Sequence, residues 1–260
     1  MSGGPLVSVV VPFFDSERTI AACIDALLGQ QAVGESYEVI LVDNGSRDRS
    51  AEIAKRAAGI TVIKEGKRGA YAARNAGIAE ARSPVIAFTD ADCAVDRDWL
   101  RSVLQGMEDR RIGVLIGHCR YPADATLGLR LVERWENAKA EYVAGSCAPE
   151  YRFAYCNNMA VRRSVFEEVG LFEEWQRAAD TELVHRLAAR RPDLHLTYSR
   201  AMRVTHLEFA RGSHRARRLG LYRQTNSRIE TFRELGLAQR FGVLALLARG
   251  LLARPSGQRS

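Results

Sequence analysis

Four short apolar runs recur along the first ninety or so residues, each pair separated by enough chain for one helix. Leu6 to Val11 is apolar apart from Ser8, and Tyr37 to Val42, Ile60 to Lys64 and Val85 to Thr89 follow. Runs of this length rich in Val and Ile suit strands buried on both faces, as in a parallel sheet. Between them, Ile20, Cys23, Ile24, Leu27 and Leu28 fall at helical spacing, with Asp15 or Ser16 placed to cap the helix. Ser50 to Ala58 reads as a second helix and the alanine-rich Ala70 to Ala81 as a third. This β-α-β-α-β-α-β order predicts an α/β fold: a doubly wound, mostly parallel sheet with helices on both faces and right-handed crossovers.

Further along, the spacing predicts a helix over Asp98–Met107, a strand over Ile112–Gly117 and a helix around Leu127, Leu131 and Trp135. A short strand at Asn158–Val161, a turn of helix to Val169 and a helix from Asp180 follow. A last strand runs from His195 to Thr205 and ends at His206. A catalytic domain is expected over residues 1–210. A basic helical extension is expected over 211–260.

Charge separates these two parts. The chain carries a net +7, but residues 200–260 hold 13 Arg against 3 Glu, so the body before them is slightly acidic. A basic tail suits an anionic partner. Phe241, Val243, Leu244, Leu246, Leu247, Leu251 and Leu252 can form an apolar face on such a tail. It fits packing on the domain or in a homodimer, and equally an interfacial helix on an anionic membrane. Nucleic acid is not the expected partner, because the arginines lack an interleaved aromatic platform.

The five cysteines, Cys23, Cys93, Cys119, Cys147 and Cys156, are scattered, odd in number and form no CxxC pair. Free thiols in a reducing compartment are expected, and no zinc site. No apolar run reaches 18 residues and the N-terminus has no signal-peptide pattern. A cytoplasmic protein, peripheral at most to the inner face of a membrane, is the expectation.

Aspartates end several of the predicted strands. Asp15 and Asp43 follow the first two, and the fourth runs into Asp90-Ala91-Asp92. In open α/β sheets ligands bind at this edge. If strand geometry persists past Thr89, Asp90 and Asp92 project to the same side. Two adjacent carboxylates fit a hard divalent ion shared with substrate phosphates, or a solvated acidic turn. The loop Lys64–Arg68 can bring cations to a pyrophosphate, with Gly69 opening a helix N-terminus, or present a solvated surface pair. Asp180, with Glu182 two residues on, fits a general base or a helix-capping pair. His206 fits a metal or phosphate ligand, or a packed histidine.

Taken together, these motifs resemble the family 2 glycosyltransferases, inverting enzymes of the GT-A fold. Val9-Val10-Val11-Pro12-Phe13-Phe14-Asp15 resembles the family's opening strand and turn, where Asn is usual at the place of Asp15. Asp43-Asn44-Gly45-Ser46-Arg47-Asp48 resembles its Asp-(Asp/Asn)-Gly-Ser-x-Asp turn. Ala73-Arg74-Asn75-Ala76-Gly77 resembles its Ala-Arg-Asn-x-Gly helix, and Asp90-Ala91-Asp92 falls where the family has Asp-x-Asp. Asn157 through Arg163 and Gly170 through Glu173 are similar to its acceptor-side segment.

The resemblance implies roles by position. Asp43 would bind the nucleobase, with Pro12, Phe14 and Asp15 lining its pocket. Arg68 and Arg74 would lie near the base or phosphates, and Asp90, with Ala91, beside the ribose or sugar. Asp92 would coordinate Mg²⁺ or Mn²⁺ on the diphosphate, with His206 close to that ion. Asp180 would be the catalytic base, and Asn158 would belong to the acceptor side. One departure stands out: the family has Glu-Asp or Asp-Asp at the base motif, and this chain has Ala179-Asp180. Glu182 is the alternative carboxylate. The function so implied is transfer of a sugar (hexosyl type) from a nucleotide-diphosphate sugar, a UDP-sugar in the first instance, to a hydroxyl on a glycan, lipid or small metabolite. A nucleotidyltransferase shares the sheet and acidic site, but needs a glycine- and lysine-rich loop that Val11-Pro12-Phe13-Phe14 does not supply. The remaining alternative is a non-enzymatic anion- or nucleic-acid-binding protein that uses the basic tail.

Overall fold

The computed structural model describes residues 4–30, 37–146 and 152–208. The four apolar runs form β1 (Val7–Phe13), β2 (Tyr37–Asp43), β3 (Ile60–Lys64) and β4 (Val85–Thr89). They pair in parallel, with β1 between β2 and β4 and β3 at the edge. Alternate residues serve opposite faces of this sheet. Val7, Val9, Val11 and Phe13 pack on one side with Val39, Leu41, Val85 and Ala87, and Val10, Ile40, Val42, Ile86 and Phe88 pack on the other. The unbroken apolar pattern thus reflects a sheet covered twice.

The first face is covered by α1 (Ile20–Leu28), α2 (Ser50–Arg56) and α4 (Trp99–Gly106). The second is covered by α3 (Ala70–Glu80), α5 (Leu127–Ser146), α6 (Arg163–Val169) and α7 (Ala179–Arg190). Helix α3 lies unusually close to β1. A Cβ on Gly77 would sit 2.3 Å from Val10 Cγ1, so only glycine lets the backbones approach this far. That contact brings Arg74 and Asn75 down against the sheet edge.

The second half of the sheet holds the antiparallel pairs of the mostly parallel sheet expected from the sequence. The strands β5 (Cys93–Val95), β6 (Ile112–Arg120), β7 (Asn158–Arg162) and β8 (His195–His206) complete an eight-stranded order β3-β2-β1-β4-β7-β6-β8-β5. Strand β7 is antiparallel to both β4 and β6, and the three-residue β5 pairs antiparallel with β8. Strand direction leaves no mark on a buried apolar run, because both kinds of ladder bury the same side chains.

Arginines close several helix ends. Arg163 donates to the carbonyls of Ala81 and Ser83 after α3, and Arg162 to those of Met107 and Asp109 after α4. These bonds satisfy carbonyls that have no intrahelical partner. The pair therefore clamps helix ends to β7.

Asn158 is a correction to the sequence reading. It is wholly buried in the sheet, not on an acceptor-facing surface. Its Oδ1 accepts from Trp99 Nε1 at 2.8 Å, and its Nδ2 donates to the carbonyls of His118 and Met202 at 3.0 and 2.9 Å. The side chain ties β7 to β6, β8 and α4, and its polar capacity is spent there. The residues expected to form a basic helical extension, 211–260, lie outside the described residues. So do the 210/211 domain boundary and the tail's expected membrane or dimer face. No helix among the described residues is long and apolar enough to cross a membrane. Cys23, Cys93, Cys119 and Cys156 are free thiols, as expected.

Replacing Asn158 by Ala leaves the Trp99 indole N–H and two carbonyls unsatisfied in the core. A loss of about 3 kcal/mol of folding stability is expected, read by urea denaturation. An unchanged midpoint would contradict the tying role.

Candidate active site

A cavity of about 600 Å³ opens at the C-terminal ends of β1 and β4. Its walls come from the end of β1 and the turn after it (Pro12 to Ser16), Asn44 after β2, Arg68 to Ala70 at the start of α3, and Asp90 to Asp92 after β4. Arg74, Arg18, Thr19 and Glu208 complete them. This is the edge at which open α/β sheets hold ligands.

The first wall is aromatic and cationic. Phe14 is 41% exposed, and the Arg68 guanidinium carbon stacks 4.4 Å from its ring centroid. Asp15 takes a left-handed backbone conformation, φ 46°, and its Oδ1 accepts from Arg47 N at 2.7 Å. Asp43 does not line the cavity. It is 4% exposed, and its Oδ1 accepts from Ser46 N at 2.8 Å, holding the turn after β2. Asn44, unassigned from sequence, organises the next wall. Its Nδ2 donates to the carbonyls of Glu65 and Lys67 and its Oδ1 accepts from Gly69 N, so one amide shapes the loop that carries Arg68. Gly69 itself, at φ 137°, leads into α3 in a conformation side chains disfavour. The N-terminus of α3 then faces the cavity, a setting that favours anions. The pairing Asp/Asn-Gly within a turn was the available signal for Asn44.

The Asp-x-Asp segment behaves differently from the extended geometry expected of it. Strand β4 ends at Thr89, and Cys93 N bonds Asp90 O at 3.0 Å, closing a turn. The turn is required because Cys93 must start β5 opposite His206. The two carboxylates line the same cavity but take different partners. Asp90 Oδ1 accepts from Arg74 Nη2 at 2.5 Å, and Asp92 Oδ2 lies 3.5 Å from His206 Nε2. Leu207 N donates to Asp92 O at 2.7 Å, so the end of β8 is stitched to this turn.

Donor atoms of Asp92, Cys93 and His206 lie within 4.8 Å of one another. Sulfur is a soft ligand that hard ions such as Mg²⁺ and Mn²⁺ disfavour beside oxygen and nitrogen donors. A carboxylate oxygen and an imidazole nitrogen remain. That donor pair fits a divalent ion such as Mg²⁺ or Mn²⁺ with positions left for water and phosphate oxygens.

Asp180 lies behind this wall, in the first turn of α7, and is 8% exposed. Its Oδ1 accepts from Thr181 N at 2.9 Å and its Oδ2 from Cys156 N at 3.1 Å. Tyr71 of α3 lies close to it. Burial raises its pKa above the ordinary aspartate range, against the pull of Arg74 and these hydrogen bonds. Glu182 points elsewhere and is engaged by Arg186 of the same helix, at 2.9 and 2.7 Å. Asn75 holds the neighbouring segment by exchanging two hydrogen bonds with the Phe172 backbone. The structure thus gathers Pro12, Phe14, Asp15, Arg68, Arg74, Asp90, Ala91 and Asp92 around one cavity. His206 adjoins it through Asp92, Asp43 lies beneath it, and Asn158 and Glu182 do not belong to it.

Comparison with known proteins follows the same outline. A model described as glycosyl transferase family 2 matches residues 8–170, which includes the Asp-x-Asp turn but stops before Asp180 and His206. Glycosyltransferase AglE of Haloferax volcanii is 30% identical over 175 residues, covering 65% of this chain and 56% of AglE. The mannosyltransferase PcManGT from Pyrobaculum calidifontis, in complex with GDP-Man and Mn²⁺, superposes with a TM-score of 0.68 at 22% identity. That match covers 100% of this chain and 77% of PcManGT. S. aureus TarS 1-349 in complex with UDP-GlcNAc superposes with a TM-score of 0.61 at 16% identity, covering 95% of this chain and 71% of that TarS 1-349 chain. These superpositions carry the GT-A fold. The chain spans about half the length of AglE.

Asn44→Ala is expected to loosen the Glu65–Gly69 loop, costing about 1–2 kcal/mol and quickening tryptic cleavage after Lys67 or Arg68. Unchanged cleavage kinetics would contradict the role given to this amide.

Proposed function

The chain belongs to glycosyl transferase family 2, and from that membership we propose that it moves a sugar from a nucleotide-diphosphate sugar to an acceptor hydroxyl with inversion. The observation that carries this reading is the cavity itself. It sets the Asp90–Asp92 carboxylates across from the α3 N-terminus, with Arg68 and Arg74 in the same walls. A sugar diphosphate needs that combination of charges: carboxylates for hydroxyls and a cation, N–H groups and guanidinium for phosphate oxygens.

In this reading the nucleobase lies on the Phe14–Arg68 plate, with the Asp43 turn forming its floor. A UDP-sugar is the proposed donor. PcManGT and TarS bind GDP-Man and UDP-GlcNAc respectively, and the comparison of the two nucleotides decides between them. Asp90 holds the ribose or sugar, and Asp92 with His206 would hold Mg²⁺ or Mn²⁺. Such an ion, when bound, supplies positive charge to the leaving diphosphate. Arg68, Arg74 and the α3 N-terminus add fixed positive potential from the chain itself. Asp180 takes the proton of the acceptor hydroxyl as the new bond forms on the face opposite the leaving group. The acceptor is a hydroxyl on a glycan, lipid or small metabolite.

The raised pKa of Asp180 fixes a direction with pH. A base must be ionised, so turnover falls as pH drops through a value above the ordinary aspartate figure of about 3.9. The stability sign is the reverse. A raised carboxyl contributes stability that is full below the unfolded-state value and is lost as pH rises through the folded one.

Asp180→Asn is expected to lower kcat by about 100- to 10,000-fold with donor affinity nearly unchanged. Asp92→Ala is expected to abolish metal-dependent transfer. Single-turnover assays with radiolabelled sugar nucleotide measure both, and wild-type turnover in Asp180→Asn would rule out its role as base.

A further inference from the structure

The first two turns of α5 point apolar side chains at solvent. Leu127 is 78% exposed and Leu131 57%, the two highest values among the large apolar side chains of the described residues. On a helix, positions 127, 130, 131 and 134 share one face. Arg130 and the exposed Arg134 therefore stand beside the two leucines. The opposite face of the helix holds the buried Asn137, Ala140, Val143 and Ala144. The carboxylates of α5 are engaged within the fold: Glu133 accepts from Tyr121 N at 2.7 Å, Glu136 pairs with Lys139, and Glu141 with Arg200. Asp124, in the turn before the helix, is exposed. Strand direction places this face. Strands β4, β6 and β8 run the same way, so the chain leaves β6 for α5 at the sheet edge where the cavity opens. Arg120 pairs with Thr205 at that edge, close to where β8 ends. After Glu208 the sequence carries 11 Arg against 2 Glu over residues 209–260.

We propose that the face of α5 formed by Leu127, Arg130, Leu131 and Arg134 is a docking surface for an anionic lipid bilayer. Exposed leucines flanked by arginines suit the boundary between acyl chains and charged headgroups. The leucines gain by leaving water, and the guanidinium groups by meeting lipid phosphates. Charge selects this occupant over two others. A second copy set face to face would bring Arg130 and Arg134 against like charges. Two leucines also fall far short of the roughly 20–30 residues a side that a stable protein interface uses. The 209–260 segment is itself strongly basic, so the same arginines repel it. An anionic bilayer attracts both. The helix and the basic segment start from one edge of the sheet, and each arginine near an anionic surface strengthens binding about fivefold. A bilayer held by this face lies at the edge of the sheet where the cavity opens.

Sedimentation of the full chain with phosphatidylglycerol–phosphatidylcholine vesicles at low salt tests the surface. The wild-type chain is expected to bind. The double substitution Leu127→Gln/Leu131→Gln is expected to weaken binding about tenfold or more, and Arg134→Gln about fivefold. Both variants should keep the wild-type Tm, because the altered side chains are exposed. No binding by the wild-type chain would overturn the proposal. So would wild-type affinity in the double variant, which would place attachment on the basic segment alone. Contact is read directly with Leu131→Trp, whose added indole should be quenched by brominated acyl chains beyond any quenching seen in wild type. If the double variant does not fold, this measurement decides, and an unquenched indole overturns the proposal. Sedimentation equilibrium without lipid covers the second copy: a wild-type dimer that Leu127→Gln/Leu131→Gln dissociates would also overturn it. None of these readouts requires sugar transfer, so the docking surface and the transferase reading stand or fall separately.

Discussion

The Arg74–Asp90 ion pair is the interaction on which the site depends. A guanidinium held at the bottom of a cavity is tolerable only with a carboxylate against it, and removing one member of such a pair typically costs about 3–5 kcal/mol. The pair also divides the Asp-x-Asp turn into two tasks. With Asp90 committed to Arg74, Asp92 is left to His206 and the end of β8. Two carboxylates that would repel side by side are separated by the partners that the fold gives each of them.

Helix α3 supplies most of these partners from eleven residues. Its N-terminus meets the cavity, Arg74 reaches the Asp90 carboxylate, Asn75 holds the Phe172 backbone, and Gly77 lets the helix sink onto β1. The alanines at positions 70, 72, 73 and 76 read in sequence as helix propensity alone. In the fold, the buried Ala72 and Ala73 do a second job: they keep α3 thin enough for Arg74 to sit at the sheet edge rather than in solvent.

The parallel half of the sheet and its helices were legible because burial on both faces writes a plain local pattern, as in Val7 to Val11 and Val85 to Thr89. The cavity-lining residues were legible for a related reason, since they follow directly on those strands. What escaped depends on contacts far apart in the chain. The three-residue β5 has no pattern of its own and exists because Cys93 meets His206. The antiparallel direction of β7 follows from its neighbours β4 and β6. Asn158 looked like a polar residue offered to a ligand, but its partners Trp99, His118 and Met202 are 40 to 59 residues away. Asn44 reads locally as a turn residue, because its three bonds to the 65–69 loop are invisible in the sequence around it.

The central claim is that the cavity between Phe14–Arg68 and Asp90–Asp92 holds a nucleoside diphosphate together with a divalent ion. Thermal shift with UDP and GDP, each with and without Mn²⁺, tests it most directly. One nucleotide, UDP first, is expected to raise the melting temperature by several degrees in the presence of Mn²⁺, and by much less in its absence or in Asp92→Ala. No stabilisation by either nucleotide under any of these conditions would contradict it.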